Sequence, residues 1–168
     1  MRHIIAIQLQ NEAGALGRVA GLFSTRGYNI ESLSVAPTDD PTVSRLTLVT
    51  VVTDAALTQL VNQLRKLIDV VLVENLTRGD HVERELLLLK LRVSPAHHEP
   101  LRQLVAAAHG QVLSEPAGQF VVEVTGSEAE VSRFLAQASQ FGELLEVVRS
   151  GALGIRRDAA PVTRLTAA

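Results

Sequence analysis

Cysteine is absent from the 168 residues, which excludes disulfides and thiolate chemistry and is compatible with an intracellular chain. Aromatic residues make up 3%, too few to build a stacking platform for single-stranded nucleic acid. Neither sign of charge dominates, and a formal net charge of −2 at pH 7 gives no overall pull toward nucleic acid or an anionic membrane. No apolar run approaches the ~20 residues of a membrane helix, and Met1–Gln10 carries no cleavage-site pattern, so a cytoplasmic location is the expectation. Catalytic signatures are missing too. There is no Gly-x-Ser-x-Gly elbow, and Gly14, Gly17, Gly21 and Gly27 match neither dinucleotide-binding nor P-loop spacing. Without a convergent acid, base and nucleophile, the chain reads as a sensor or regulator, not as an enzyme.

What is present is one pattern, twice. In Arg2–Gln10, Ile5, Ile7 and Leu9 share one strand face while Ile4 and Ala6 lie on the other. Leu16, Val19, Ala20 and Phe23 then keep helical spacing from about Ala15 to Arg26, and Gly27 ends that helix as a left-handed cap. A strand over Tyr28–Ala36, a turn at Pro37–Pro41 and a strand over Val43–Val52 follow. Asp54 is the expected N-cap of a helix with Leu57, Leu60, Val61, Leu64, Leu67 and Ile68 inward, and Val70–Leu76 closes the set. The face away from the helices, with Ile4, Ala6, Thr47, Val49 and Val51, is too apolar to be left in water, which predicts homodimerisation through edges or faces.

The order recurs after a link at 77–82. Leu86–Leu89 lie in a strand apolar on both faces, Leu101, Leu104, Val105 and Ala108 form a helix stripe ended by Gly110, and Pro116-Ala117-Gly118 turns a hairpin. Ser127 with Glu130 is a capping box for a helix burying Val131, Phe134, Leu135 and Ala138, and Leu144–Val148 closes the second sheet. The expected class is α+β, two ferredoxin-like βαββαβ sandwiches in tandem. The expected bounds are a first domain at 1–76, the link at 77–82, a second domain at 83–156 and a loose tail at 157–168.

One candidate binding site stands out, at the turn Asn11-Glu12-Ala13-Gly14-Ala15-Leu16 together with Asn29 and Ile30. A helix start offers free N–H groups and a partial positive charge, which suits a carboxylate, and Gly14 leaves room for its approach. Asn11 and Asn29 can serve both an ammonium and a carboxylate, so the set can read the ends of an amino acid while Ile30 and Leu33 contact its side chain. The competing reading is that Asn11 and Gly14 merely shape a tight turn. His97-His98-Glu99 reads as a solvated loop instead of a metal site, and His3, His81 and His109 are isolated. Glu83-Arg84-Glu85 and Arg156-Arg157 read as solvated charge, while Arg149 can reach a partner from a strand end.

Several segments carry a family resemblance: Asn11–Arg18, Arg26-Gly27-Tyr28-Asn29-Ile30-Glu31-Ser32-Leu33, Val35–Pro41, His81-Val82-Glu83-Arg84-Glu85 and Glu146–Gly151. They resemble the small, regulatory subunit of bacterial acetolactate synthase, whose first repeat is an ACT domain. The resemblance implies a non-catalytic partner of a thiamine-diphosphate-dependent large subunit that joins two 2-oxo acids with loss of carbon dioxide. It implies no cofactor in this chain, with thiamine diphosphate and magnesium in the large subunit. It further implies activation of that subunit, feedback inhibition by valine, leucine or isoleucine, and a homodimer through the ACT domain. Asn11, Gly14, Ala15 and Leu16 would then come from one protomer, and Asn29 and Ile30 from the other. The segment Ser94–Pro100 departs from the family pattern. The alternatives are a free-standing ACT-type sensor acting on another enzyme or on transcription, or a small βαββαβ enzyme. The lack of a helix-turn-helix or basic stripe weighs against a role on DNA.

Overall fold

The structure is a computed structural model describing residues 1–157. Apart from Arg157, the tail expected at 157–168 lies outside the described residues. The elements are β1 (Arg2–Gln10), α1 (Ala15–Thr25), β2 (Ser32–Pro37), β3 (Val43–Val51), α2 (Asp54–Leu64), β4 (Val70–Asn75), β5 (His81–Val93), α3 (His98–Ala107), β6 (Gln111–Ser114), β7 (Gln119–Gly126), α4 (Glu128–Ala138), β8 (Gly142–Arg149) and β9 (Leu153–Arg156). They divide into two compact units, 1–82 with 152–157, and 83–151.

In the first unit the strand order is β2-β3-β1-β4, with every neighbouring pair antiparallel. This is the ferredoxin-like plan, in which each helix carries the chain over one intervening strand. Ile5, Ile7 and Leu9 meet Leu46 and Leu48 from β3, Val19 and Phe23 from α1, and Leu57, Leu60 and Leu64 from α2. Each such side chain contributes about 1.5–3 kcal/mol on leaving water. The sequence stripe is shifted at both helices. Ala15, not Leu16, opens the buried face of α1, and Leu16 is 37% exposed. Helix α2 stops at Leu64 with Arg65 as its C-cap, so Ile68 falls beyond the helix and is 86% exposed. Its N-cap is Thr53, whose hydroxyl accepts from the Ala56 N–H, and Asp54 is the first helical residue.

The second face of this sheet departs from expectation. Ile4, Ala6 and Val49 are buried with Leu76 and Ala152, because the chain returns after the second unit and lays 152–156 over them. A Cβ on Gly154 would lie 2.7 Å from Leu76 Cδ1 and 3.0 Å from Ile4 Cδ1, so a larger residue there must push the ends of both side chains aside. Arg45 Nη2 donates to the Gly154 carbonyl at 3.0 Å, and Arg156 Nη2 donates to the Asn75 carbonyl at 3.3 Å. The last residues of the expected second domain, 152–156, therefore belong to the first unit. They supply much of the cover that had been assigned to another copy, although Val51 stays 55% exposed. Arg156, expected to be solvated, is part of this cover.

The second unit repeats the order as β6-β7-β5-β8. Leu87, Leu89 and Leu91 face Leu101 and Val105 of α3 and Val131 and Phe134 of α4. Leu86 and Leu88, on the other face of β5, are only half-buried, so that strand is not covered on both sides. The segment 97–99 is not a loop: a 3-10 turn over Pro95–His97 runs into α3, a position where prolines cost nothing because early helical N–H groups lack acceptors anyway. The capping box is complete, with Ser127 Oγ accepting from the Glu130 N–H and Glu130 Oε2 accepting from the Ser127 N–H.

Candidate functional site

The turn after β1 is built by local chemistry. Asn11 N–H donates to the Thr42 carbonyl at 2.7 Å and its Nδ2 donates to the Pro41 carbonyl at 2.9 Å, which fastens the turn to the β2–β3 hairpin. Ala15 N–H closes on the Glu12 carbonyl, and Gly14 follows the left-handed path at φ 88°. Gly14 is the N-cap of α1, a helix with no side-chain cap and no acid in its first turn. The intrahelical ladder starts with Arg18 N–H on the Gly14 carbonyl, so the N–H groups of Leu16 and Gly17 precede it. This is a helix start whose donors and partial positive charge stay open to an anion.

Sequence reasoning missed the neighbour that shapes this turn. Arg18 folds back so that its Nη1 lies 3.0 Å from where a Cβ on Gly14 would be, and its Nε and Nη2 both donate to Asp69. Asp69 is 4% exposed, and the guanidinium holds its carboxyl below the usual carboxylate range. Arg18 stands in the segment that carries the family resemblance, but its partner lies 51 residues away, a pairing no local pattern reveals.

Asn29 and Ile30 are elsewhere. The chain leaves α1 through Gly27, at φ 68°, and β2 begins only at Ser32, four residues later than expected, because 28–31 are held as irregular backbone. Thr50 Oγ1 donates to the Asn29 carbonyl at 2.6 Å, and Asn29 Nδ2 donates to Glu31 Oε1 at 2.9 Å. Asn11 is thus anchored at Thr42 and Asn29 at Thr50, eight residues apart along β3, or about 27 Å at ~3.4 Å per residue. Within one chain the two halves of the candidate site lie at opposite ends of the sheet.

The remaining candidates separate cleanly. His97 Nδ1 lies 3.1 Å from the Phe141 carbonyl and His98 Nε2 lies 3.1 Å from the Val93 carbonyl, so both rings serve the backbone. His3 is 1% exposed and packs in β1. Arg149 does not reach outward. It makes a bidentate pair with Glu85, at 2.9 and 2.6 Å, and Glu85 is buried at 5% exposure instead of solvated. Ser150 Oγ accepts from the Leu86 N–H beside it. Two separate resembling segments, 81–85 and 146–151, thereby meet where the chain enters and leaves the second unit.

Two βαββαβ units, the first with an open helix start behind a glycine turn, define a tandem ferredoxin-like α+β protein. The sequence matches the AHAS small subunit-like ACT domain over residues 5–72 and the small subunit of acetolactate synthase over residues 84–158. It is 44% identical to the acetolactate synthase isozyme 3 small subunit of Escherichia coli K12 over 157 residues, covering 94% of this chain and 96% of that one. It is 37% identical to a probable acetolactate synthase small subunit of Archaeoglobus fulgidus, covering 94% and 98%. The acetolactate synthase small subunit from Thermotoga maritima superposes with a TM-score of 0.86 at 28% identity, covering 95% of this chain and 99% of that one. The chain belongs to the acetolactate synthase small-subunit family.

Proposed function

We propose that this chain activates a thiamine-diphosphate-dependent acetolactate synthase large subunit and confers feedback inhibition by a branched-chain amino acid, valine foremost, bound between the ACT domains of a homodimer. One observation carries the reading: the separation of Asn11 and Asn29 to opposite ends of β3. β2 is an edge strand, and Asn29 leads into its start while the Asn11 turn lies level with its end. A second copy related by a twofold axis and paired antiparallel along β2 sets the turn 11–16 of one protomer beside Asn29 and Ile30 of the other. The carboxylate then meets the α1 start, and the two asparagines meet the ammonium. The twofold axis makes two such sites.

The test assays each subunit alone and mixed, with thiamine diphosphate and magnesium, and then adds valine. The small subunit alone gives no acetolactate, and the mixture turns over faster than the large subunit and is inhibited by valine. Gly14→Asp removes the inhibition and keeps the activation, because the new carboxylate fills the ligand's place beside Arg18 at a left-handed position. Mixing Asn11→Ala with Asn29→Ala chains restores one intact site per heterodimer. Failure of that mixture to recover any valine binding rules out a shared site.

A further inference from the structure

The second unit holds a cleft of about 480 Å³ between the end of α3, the end of β7 and the middle of α4. Three basic side chains line it: Arg84 from β5, Arg133 from α4 and His109 from the turn after α3. One carboxylate, Glu130, is also present, but it is already held by the Ser127 N–H at 2.7 Å and the Ser127 hydroxyl at 2.8 Å. Arg84 Nη1 donates to the Glu83 carbonyl at 2.8 Å, and the charges of Arg84 and Arg133 both help to hold the Glu130 carboxyl below the usual carboxylate range, after its bonds from Ser127. Leu104 and Phe134 supply an apolar wall.

His109 provides a second, independent pointer. It has φ 54°, in the left-handed region, at the position after the helix end where glycine is the usual residue. The corresponding residue after α1 is Gly27, at φ 68°. The neighbouring Gly110 is required on other grounds, since a Cβ there would lie 2.5 Å from the Glu123 carbonyl oxygen. An imidazole is therefore kept at the cleft in a conformation that costs it roughly 1–2 kcal/mol. Strain of this kind concentrates at binding sites.

We propose that this cleft binds a small organic oxyanion, a carboxylate or phosphate joined to a short apolar group, gripped by Arg84 and Arg133 and closed by His109. Guanidinium forks match planar oxyanions bidentately, and the hydrocarbon part covers Leu104 and Phe134. The site lies wholly within the second unit and is independent of the amino-acid site proposed above.

The full chain at low salt is titrated with inorganic phosphate and, separately, with isobutyrate, which lacks an ammonium group, following backbone amide shifts by NMR. At least one probe saturates below about 10 mM and shifts amides around 84, 109 and 133. The probe that saturates identifies phosphate or carboxylate as the recognised group. Arg84→Gln with Arg133→Gln weakens binding about tenfold or more, and Asn29→Ala leaves it unchanged. His109→Gly raises the melting temperature by removing the strain, yet weakens binding. Lack of saturation by both probes overturns the proposal, as does full affinity in a folded double variant or loss of affinity in Asn29→Ala.

Discussion

Helix α1 opens on Gly14 with no side-chain cap and no acid in its first turn, whereas α3, at the same place in the repeated plan, opens behind a 3-10 turn with Glu99 and Pro100 in its first turn. Glu99 places negative charge where an anion would sit, and Pro100 removes an N–H that would hold it. The helix ends are reversed: α1 leaves through Gly27 in open space, while α3 leaves through a strained His109 beside a cleft. On the two proposals above, the receptive end is the helix start in the first unit and the helix end in the second. Function here follows the residues at the turns and not the fold.

The two units also share a device used at different places. Arg18–Asp69 ties the α1 start to the head of β4, and Arg149–Glu85 ties the entering and leaving strands of the second unit. The largest stability effect is expected at the second. Arg149→Ala strands the buried Glu85 carboxylate, and breaking such a pair costs about 3 kcal/mol or more. Arg18→Ala strands a carboxylate buried as deeply, but one whose arginine is the more exposed of the two; it also uncovers Gly14, so on the proposed function it alone alters valine binding. Denaturant unfolding with valine titration on both variants sharpens the comparison. An Arg149→Ala chain that unfolds like the parent breaks it.

How much of this was legible depends on the range of the interaction. Alternation in Arg2–Gln10, the Gly27 cap and the Ser127–Glu130 box are local, and each reads directly from neighbours in sequence. The N-cap choice between Thr53 and Asp54 fails because both residue types cap well and only the backbone direction decides. Arg18–Asp69, Glu85–Arg149 and the return of 152–156 join residues 51, 64 and between 76 and 150 positions apart, where spacing carries no signal. The turn 11–16 was legible as chemistry, but the distance from Asn11 to Asn29 was not, because it depends on which end of β3 anchors each.

The return of β9 gives the next effect in size. Gly154→Val drives a branched side chain against Leu76 and Ile4, an overpacking expected to cost about 1–3 kcal/mol. Since the side chains that a residue at 154 would meet, Leu76 and Ile4, belong to the first unit, the loss falls there first, and amide exchange quickens in β1 and β3 before β7. Uniform loss across both units contradicts the division at residue 152. The same cover means that a chain cut after Gly79 bares Ile4, Ala6, Val49 and Leu76, and it needs residues 152–157 supplied to stay soluble.

The smallest effect separates the two second helices, α2 and α4, by their caps. Thr53→Ala removes a single bond to the Ala56 N–H and costs about 1 kcal/mol, while Ser127→Ala removes two, the bond from the Glu130 N–H and the hydroxyl's bond to the Glu130 carboxylate, keeps the backbone N–H on that carboxylate, and costs more. The two also differ in pH dependence. The Ser127 N–H, with its hydroxyl, holds the Glu130 carboxyl below the usual carboxylate range. A carboxylate with a depressed folded pKa contributes stability above its unfolded pKa, and that contribution fades as the pH falls through the folded value. The difference between wild type and Ser127→Ala should therefore shrink on acidification, as Glu130 takes up a proton and stops accepting from the Ser127 hydroxyl. The Thr53→Ala difference involves a hydroxyl that does not titrate and should persist over the same range. Melting temperatures of the two variants from neutral to acid pH measure this directly. Parallel curves would mean that the Ser127 hydroxyl's bond to the Glu130 carboxylate contributes nothing to holding α4.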